Sequence, residues 1–286
     1  MRVERLVVVG PGLIGGSVIA ALRRSGAVGE VVGLGRAGGT LTRARELGLL
    51  DRAETDPARA LDGADVVLVA VPVGAMETVF AELAPHLAEG TVLMDAGSTK
   101  ASVVAAAEAA FDTLPAGFVP AHPIAGNEAS GPEAADADLF RGRRVIITPT
   151  PASSPGAVAA AEHFWTSLGA EVVSMTPAHH DAVLAATSHL PHMLAYALVD
   201  SLARRDDIEE IFDFAAGGFR DFTRIASSDP TMWHDICLHN RDALLPALAG
   251  FREELRRLEQ AVEEGDGAFL HTLFSRAKGA RDRFLG

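Results

Sequence analysis

The sequence predicts an α/β fold in which a doubly wound parallel sheet is followed by an all-α region. Over the first 176 residues, short β-branched and apolar runs alternate with amphipathic segments, as strands and crossover helices do. The first run, residues 6–9, has no polar alternation, which is typical of a strand covered on both faces. From His179 onward the pattern is helical only. We therefore predict two domains, residues 1–176 and 177–286.

A glycine-rich turn follows the first strand. Gly10, Gly12 and Gly15 have the spacing G-x-G-x-x-G, and residues 17–24 continue at helical apolar spacing. In such a unit the first glycine permits the tight turn, the second lets a pyrophosphate reach backbone N–H groups, and the third packs helix on strand. The order predicts a Rossmann-type dinucleotide-binding domain. Its predicted cofactor-binding residues are Gly10, Gly12, Leu13, Ile14 and Gly15, with Arg36, Val71 and Pro72 at later strand ends.

The second strand, residues 31–34, ends in Gly35 and Arg36. NAD-binding domains usually carry Asp or Glu about 20 residues beyond the glycines, where the carboxylate binds the ribose hydroxyl. This position has no carboxylate, and the Arg36 guanidinium can pair with the 2′-phosphate of NADP. We expect NADP or NAD as the cofactor, with NADP favoured. The alternative is that Arg36 is a solvated surface cation.

Further elements continue the alternation of strands and helices. We predict helices over residues 41–47 and 76–86, and strands over residues 65–72, 91–95, 145–149 and 172–175, the last closing the sheet. In the helical region, residues 182–202 form a long apolar segment interrupted by Pro191. A short helical domain with this many apolar positions can bury them against a partner subunit. We therefore expect a homodimer.

The composition limits the partners. A net charge of −13, from 38 acidic and 25 basic residues, argues against nucleic acid or an anionic membrane surface. The N-terminus has no signal-peptide layout, and no apolar segment approaches the ~18 residues of a membrane helix. We expect a cytoplasmic protein that binds a small-molecule substrate. The single cysteine, Cys237, excludes an internal disulfide framework.

Two polar side chains follow predicted strands, where an open α/β sheet forms its ligand crevice. Ser98 lies in the segment 95–100, and His122 follows the strand-like residues 118–120 on a loop constrained by proline and glycine. With an ordinary pKa of about 6.5, His122 suits a general base that accepts a hydroxyl proton as hydride leaves the same carbon. Ser98 can bond the same hydroxyl. The alternatives are a structural histidine and a serine that caps a helix starting at Thr99.

The helical region adds cationic and imidazole groups. Arg220 and Arg224 are four residues apart and so share a helical face, which suits binding of a carboxylate; surface salt bridging is the alternative. His189 and His192 flank Pro191, slightly downstream of residues 179–181. These groups do not have a recognised metal-ligand spacing, and we predict no metal.

Motifs from both halves together resemble the prephenate and arogenate dehydrogenases, the cyclohexadienyl dehydrogenases of tyrosine biosynthesis. The resemblance spans nearly the whole chain and lies in residues 9–17, 95–100, 122–126, 187–192, 217–226 and 228–233. It implies a dimer with intertwined helical halves and a reaction that is an oxidative decarboxylation. It also implies roles: His122 as base on the ring hydroxyl, Ser98 assisting, Arg224 binding the ring carboxylate, His189 near the substrate side chain, Glu128 and Trp233 lining the pocket, and Asp221 reaching across the dimer.

The resemblance has departures and competitors. Many relatives carry Asp where this chain has Gly35, and no chorismate-mutase segment or regulatory domain is recognised, so any feedback by tyrosine is expected at the active site. A 3-hydroxyacid-type dehydrogenase would use a lysine on a helix of the second domain, but the only lysines are Lys100 and Lys278. A non-catalytic dinucleotide sensor would need neither His122 nor Arg224.

Overall fold

The computed structural model describes residues 2–126 and 129–285, with the backbone alone for Leu285. The chain forms two compact units, residues 1–241 and 242–286. The prediction for Glu128 lies outside the described residues.

The first unit begins with a five-stranded parallel sheet in the order β3-β2-β1-β4-β5. The strands are β1 (Val3–Val9), β2 (Val28–Leu34), β3 (Arg52–Glu54), β4 (Val66–Val69) and β5 (Val92–Asp95). The direction of winding reverses between β1 and β4, so the loops after these two strands open into one crevice. The doubly wound parallel sheet predicted from the sequence is confirmed.

Helices cover both faces of this sheet. They are α1 (Leu13–Ser25), α2 (Gly39–Glu46), α3 (Pro57–Leu61), α4 (Met76–Leu83) and α5 (Ala101–Ala110). Each face has its own apolar core, and Leu6 and Val8 point into one while Val7 and Val9 point into the other. This explains why β1 shows no polar alternation.

A second sheet of three strands follows, in the order β6-β7-β8. It consists of β6 (Ala121–Pro123), β7 (Arg144–Ile147) and β8 (Glu171–Ser174), with α6 (Pro155–Ser167) between the last two. The strand expected over residues 172–175 therefore exists, but it pairs with β7 and does not close the main sheet. An apolar run predicts a strand but does not indicate which other strand it pairs with. An isolated parallel bridge joins Leu93 of β5 to Phe118, three residues before β6.

All described elements after β8 are helical. They are α7 (Pro177–Leu184), α8 (Leu190–Ala203), α9 (Ile208–Asp213), α10 (Gly217–Thr223) and α11 (Pro230–His239), followed by α12 (Arg241–Glu264) and α13 (Gly267–Leu285). From its second residue onward, α12 belongs with α13 to the second unit. The helical character predicted here is confirmed, while the domain bounds at 176 and 177 stay a prediction.

A π-helical turn, Ala185–His189, joins α7 to α8 without a break. Proline lacks the N–H for an i→i−4 bond and crowds the carbonyl four residues earlier, so the wider turn lets the chain pass Pro191 as a helix. The predicted interruption is thus a change of helix type. By length and composition the resulting helix, Pro177–Ala203, could cross a membrane, which corrects the expectation that no segment approaches that length. In the structure its Asp181 binds the N-terminus of α5.

Candidate active site

The glycine turn between β1 and α1 has the shape that a dinucleotide needs. Gly10 has φ +81°, and a Cβ built there would lie 2.7 Å from the carbonyl oxygen of Ala70. A Cβ on Gly15 would lie 2.7 Å from Val8 Cγ1, whereas one on Gly12 meets nothing within 4 Å. Gly10 and Gly15 are thus required by packing, and Gly12 leaves open space at the start of α1, whose first turn has no acidic residue. These residues fit a pyrophosphate held by backbone N–H groups.

The predicted cofactor residues on other strands lie at the same edge of the sheet. Val71 follows β4, and its Cγ1 would lie 2.9 Å from a Cβ built on Gly10, so it borders the glycine turn. Arg36 is exposed after β2. A Cβ on Gly35 would make only an ordinary contact, 3.7 Å from Leu41 Cγ, so packing does not exclude an acidic side chain at this position.

His122 lies at the end of a hydrogen-bonded chain of side chains. It is the middle residue of β6 and not, as predicted, part of a loop. Its Nδ1 is 2.8 Å from Nε2 of the buried His180, and His180 Nδ1 is 2.7 Å from Asp181 Oδ1. Asp181 also accepts hydrogen bonds from the backbone N–H groups of Lys100 and Ala101, at 2.7 and 2.9 Å.

The hydrogen bonds that join Asp181, His180 and His122 determine which ring nitrogens carry protons. An ionised carboxylate only accepts, so His180 donates from Nδ1 to Asp181. Neutral His180 then accepts at Nε2, and His122 donates from Nδ1. The lone pair of His122 is therefore on Nε2, which leaves that atom able to accept a proton from a ligand.

The local electrostatics favour these protonation states. Burial lowers the pKa of His122 well below 6.5, and the charges of His180, Lys100 and His189 act in the same direction. Burial also lowers the pKa of His180, although Asp181 opposes the shift. For Asp181 burial raises the pKa, but the hydrogen bonds from His180 and the two backbone N–H groups outweigh it and hold the pKa below 3.8. At neutral pH both imidazoles are neutral and the carboxylate is charged.

Ser98 lies in the turn between β5 and α5 and is half-buried. The helix that follows begins at Ala101, and Asp181 accepts hydrogen bonds at its first turn. Ser98 therefore does not cap a helix starting at Thr99, which was the alternative interpretation of this residue.

The two histidines around Pro191 have different environments. His189 is 1 % exposed, and its Nδ1 accepts a hydrogen bond of 2.8 Å from Asn240, which also donates to the carbonyl oxygen of Asp181. Burial lowers the pKa of His189 to about 4. His192 is half-buried and stacks on Trp233 with ring centroids 3.7 Å apart. Of the two, His192 is the more accessible to a ligand.

Trp233 and the arginines lie on neighbouring elements. The Trp233 ring is buried, and its Nε1 has no hydrogen-bond partner in residues 2–126 and 129–285. Arg220 is in the last turn of α10 and Arg224 begins the 3-10 turn that follows; both are exposed, as is Asp221. Burial and the charge of Arg224 both lower the pKa of His192, which places this guanidinium near the stacked pair.

Two family models match most of the chain. The nucleotide-binding domain of prephenate dehydrogenase matches residues 18–174, and the dimerization domain of prephenate dehydrogenase matches residues 176–276. The chain belongs to the prephenate dehydrogenase family. The family predicted from the motifs is confirmed.

Individual relatives agree with this assignment. The cyclohexadienyl dehydrogenase of Zymomonas mobilis is 38% identical over 281 residues, which cover 97% of this chain and 95% of that protein. The prephenate dehydrogenase of Bacillus subtilis is 35% identical, with 98% and 76% covered. Among solved structures, Aquifex aeolicus prephenate dehydrogenase in complex with hydroxyphenyl propionate and NAD+ is 35% identical, with a TM-score of 0.90 and 99% of both chains covered. Synechocystis arogenate dehydrogenase has a TM-score of 0.83 at 30% identity, with 98% and 100% covered.

Several residues of this site were not predicted from the sequence. His180 and Asp181 were considered only as metal ligands, and Asn240 was not considered. Lys100 was included in the segment 95–100 and counted as one of two lysines, but it was given no role. The signal for the first pair was present, since adjacent His and Asp residues form a ready donor–acceptor pair, but their contact with His122 spans 58 residues.

Proposed function

We propose that this protein catalyses the oxidative decarboxylation of prephenate, arogenate or both in tyrosine biosynthesis. The observation that carries the proposal is the Asp181–His180–His122 chain, which presents a neutral imidazole Nε2 on the residue after Ala121, whose N–H donates to Asp95 at the end of β5. Membership of the prephenate dehydrogenase family supports the same reaction.

In this proposal His122 takes the proton of the C4 hydroxyl as the C4–H electron pair leaves the ring. Bound NAD(P) supplies the hydride acceptor. C4 then has carbonyl character, the bond to the ring carboxylate breaks with loss of carbon dioxide, and its electrons complete the aromatic ring. The oxygen regains its proton from the imidazolium of His122. Because aromatisation drives the step, the protein contributes mainly orientation and a base.

His180 and Asp181 orient the base and stabilise its charged form. The Nδ1–H of His122 points at His180, so the ring cannot turn its lone pair away from the crevice without losing that bond. When His122 becomes an imidazolium, the ionised Asp181 lies two hydrogen bonds away and favours the positive charge. Ser98, in the turn after β5, is proposed to bond the same substrate hydroxyl.

The substrate's carboxylates are proposed to bind on the helical side. We assign the ring carboxylate to Arg224, with Arg220 and Asp221 close by on the same short segment. His192 and Trp233, whose rings stack, are proposed to contact the substrate side chain. The burial of His189 and its bond from Asn240 favour a role in supporting this pocket, and its direct contact with substrate stays a prediction.

Replacing Arg224 tests this assignment. A hydrogen bond to a charged group contributes about 1.5–3 kcal/mol, so Arg224→Ala is expected to raise KM roughly 10- to 150-fold with a smaller change in kcat. Steady-state kinetics measure both. Arg204→Ala, which removes an exposed arginine paired with Asp200, is the matched control and is expected to change neither. A parental KM for Arg224→Ala would remove the arginine from the substrate site.

The cofactor preference is proposed to be NADP. Support comes from Gly35 and Arg36 at the end of β2, where no carboxylate is present to repel a 2′-phosphate. The solved Aquifex aeolicus relative contains NAD+, so the preference of this chain needs its own measurement.

A four-way steady-state assay tests the reaction and the cofactor together. Prephenate and arogenate are each combined with NAD and NADP, and formation of the reduced nicotinamide is followed by its absorbance. Turnover with any pair supports the reaction, and the ratios of kcat/KM give the preferred substrate and cofactor. Absence of turnover in all four, with dinucleotide still bound, would contradict the proposed function and favour a sensor or another dehydrogenase.

We also propose that the protein is a cytoplasmic homodimer. Large apolar side chains are exposed on α12 and α13, with Leu245 52%, Val262 67% and Phe274 57% exposed. The dimerization-domain model that matches residues 176–276 supports the same assembly. Light scattering after size exclusion that gives the mass of one chain would contradict it.

A further inference from the structure

An ion pair lies fully buried beneath the strand that carries His122. The side chains of Asp95, the last residue of β5, and Lys100, which precedes α5, both have 0% exposure, and Lys100 Nζ bonds Asp95 Oδ2. Two buried charges are costly unless each is paired and hydrogen-bonded, and apolar residues of similar volume often give equal stability. Stability alone therefore does not explain why this pair is present.

The pair binds both backbone groups of the residue before His122. Asp95 Oδ1 accepts a hydrogen bond of 3.1 Å from the N–H of Ala121, and Lys100 Nζ donates one of 2.6 Å to the carbonyl oxygen of Ala121. Asp95 Oδ2 also accepts from the N–H of Gly97, at 2.7 Å. Ala121 is therefore held on both sides, which leaves the adjacent His122 little freedom to shift.

Lys100 also contacts the other end of the histidine chain. Its backbone N–H donates to Asp181 Oδ1, the carboxylate oxygen that accepts from His180. One residue thus fixes the backbone beside His122 through its side chain and the Asp181 carboxylate through its main chain. Apart from His180, which is the middle member of the chain, no other residue in the described ranges 2–126 and 129–285 has hydrogen bonds both to Asp181 and to His122 or the adjacent Ala121.

We propose that Asp95 and Lys100 are positioning residues for the reaction: together they hold His122 at the distance from His180 and from the substrate that proton transfer requires. The inference rests on the proposed function of His122. It adds to that proposal a reason for the buried charges and for the order Asp95, Gly97, Lys100 in one turn.

Because Lys100 is charged, the pH profile of its variants gives a readout that a purely structural role would not. The titratable groups that face His122 are His180 from α7, His189 from the π-helical turn and Lys100 from the turn after β5, with Asp95 and Asp181 behind them. The positive charge of Lys100 disfavours the imidazolium of His122. Removing it should raise the pKa of His122, so the acid limb of the kcat/KM profile should move to higher pH.

The test uses Lys100→Met, which keeps an unbranched stem of four atoms and removes the ammonium. Because this leaves Asp95 buried and unpaired, a second variant, Asp95→Asn with Lys100→Met, removes both charges. Thr99→Val is the matched control: Thr99 is also 0% exposed in the same turn, and its Oγ1 bonds Ser102 at 2.6 Å. All are studied as the full chain with dinucleotide bound.

We expect the folded lysine variants to lose about 10²-fold in kcat with little change in KM, since a small misplacement of a catalytic group costs that much. The acid limb should move to higher pH, and amide exchange of the peptide containing Ala121 should be faster than in the control. A kcat like that of Thr99→Val with an unmoved acid limb would overturn the proposal. If the parent protein turns over no substrate, the proposed function fails, while amide exchange at Ala121 and an NMR titration of His122 still test the ion pair.

Discussion

The variant His122→Asn is expected to lower kcat by about 10²-fold or more while leaving dinucleotide affinity unchanged. Asparagine can donate to His180 from its amide but cannot accept and hold a proton near neutral pH. The glycine turn at Gly10–Gly15 does not involve this side chain, so cofactor binding should persist. Steady-state rates and calorimetric titration with dinucleotide measure the two properties separately.

The control for this variant is His163→Asn. His163 is exposed on α6, so the same chemical change away from the crevice should leave turnover unaltered. Near-parental turnover by His122→Asn would remove His122 from the role of base, whatever its place in the hydrogen-bonded chain.

The variant Asp181→Asn is expected to lose roughly 10²-fold in kcat. An amide at this position can turn its NH2 group towards His180, which reverses the donors and acceptors along the chain and places the proton of His122 on Nε2. It also removes the negative charge that favours the imidazolium. The base would then be present but in the wrong tautomer.

Asp181 also accepts two backbone hydrogen bonds at the start of α5, so its loss affects stability as well. Asp51→Asn is the matched control. The Asp51 carboxylate accepts a hydrogen bond of 2.7 Å from the backbone N–H of Val31 in β2 and forms an ion pair with Arg23 in α1. Thermal unfolding compares the stability of the two variants. If Asp181→Asn lost no more activity than Asp51→Asn at similar stability, His180 would not need its carboxylate partner.

The parts of this protein that were predictable are the local ones. The strand, glycine turn and helix around Gly10 follow from residues adjacent in sequence, and the positive φ of Gly10 and the close approach of Gly15 to Val8 are the reasons for those glycines. The helical character after β8 likewise follows from composition. Each of these depends on neighbours within a few residues.

The parts that were not predictable depend on distant partners. The three residues of β6 are too few for a period to be recognised, so His122 was expected on a loop. The second sheet was therefore not recognised, and β8 was assigned to the main sheet although it pairs with β7. The bond from the backbone N–H of Lys100 to Asp181 spans 81 residues. The π-helical turn before Pro191 replaced an expected break, because a proline's effect depends on how the preceding turn can widen.

The pH dependence of kcat/KM shows whether neutral His122 is the base. Because burial lowers the pKa of His122, the ring stays neutral until the pH falls through that lowered value, so activity should be retained at neutral pH and lost only below pH 6.5. We predict an acid limb with an apparent pKa below 6.5 in the parent protein and its disappearance from the residual activity of His122→Asn. An acid limb above 6.5, or one that His122→Asn keeps unchanged, would rule out His122 as the base.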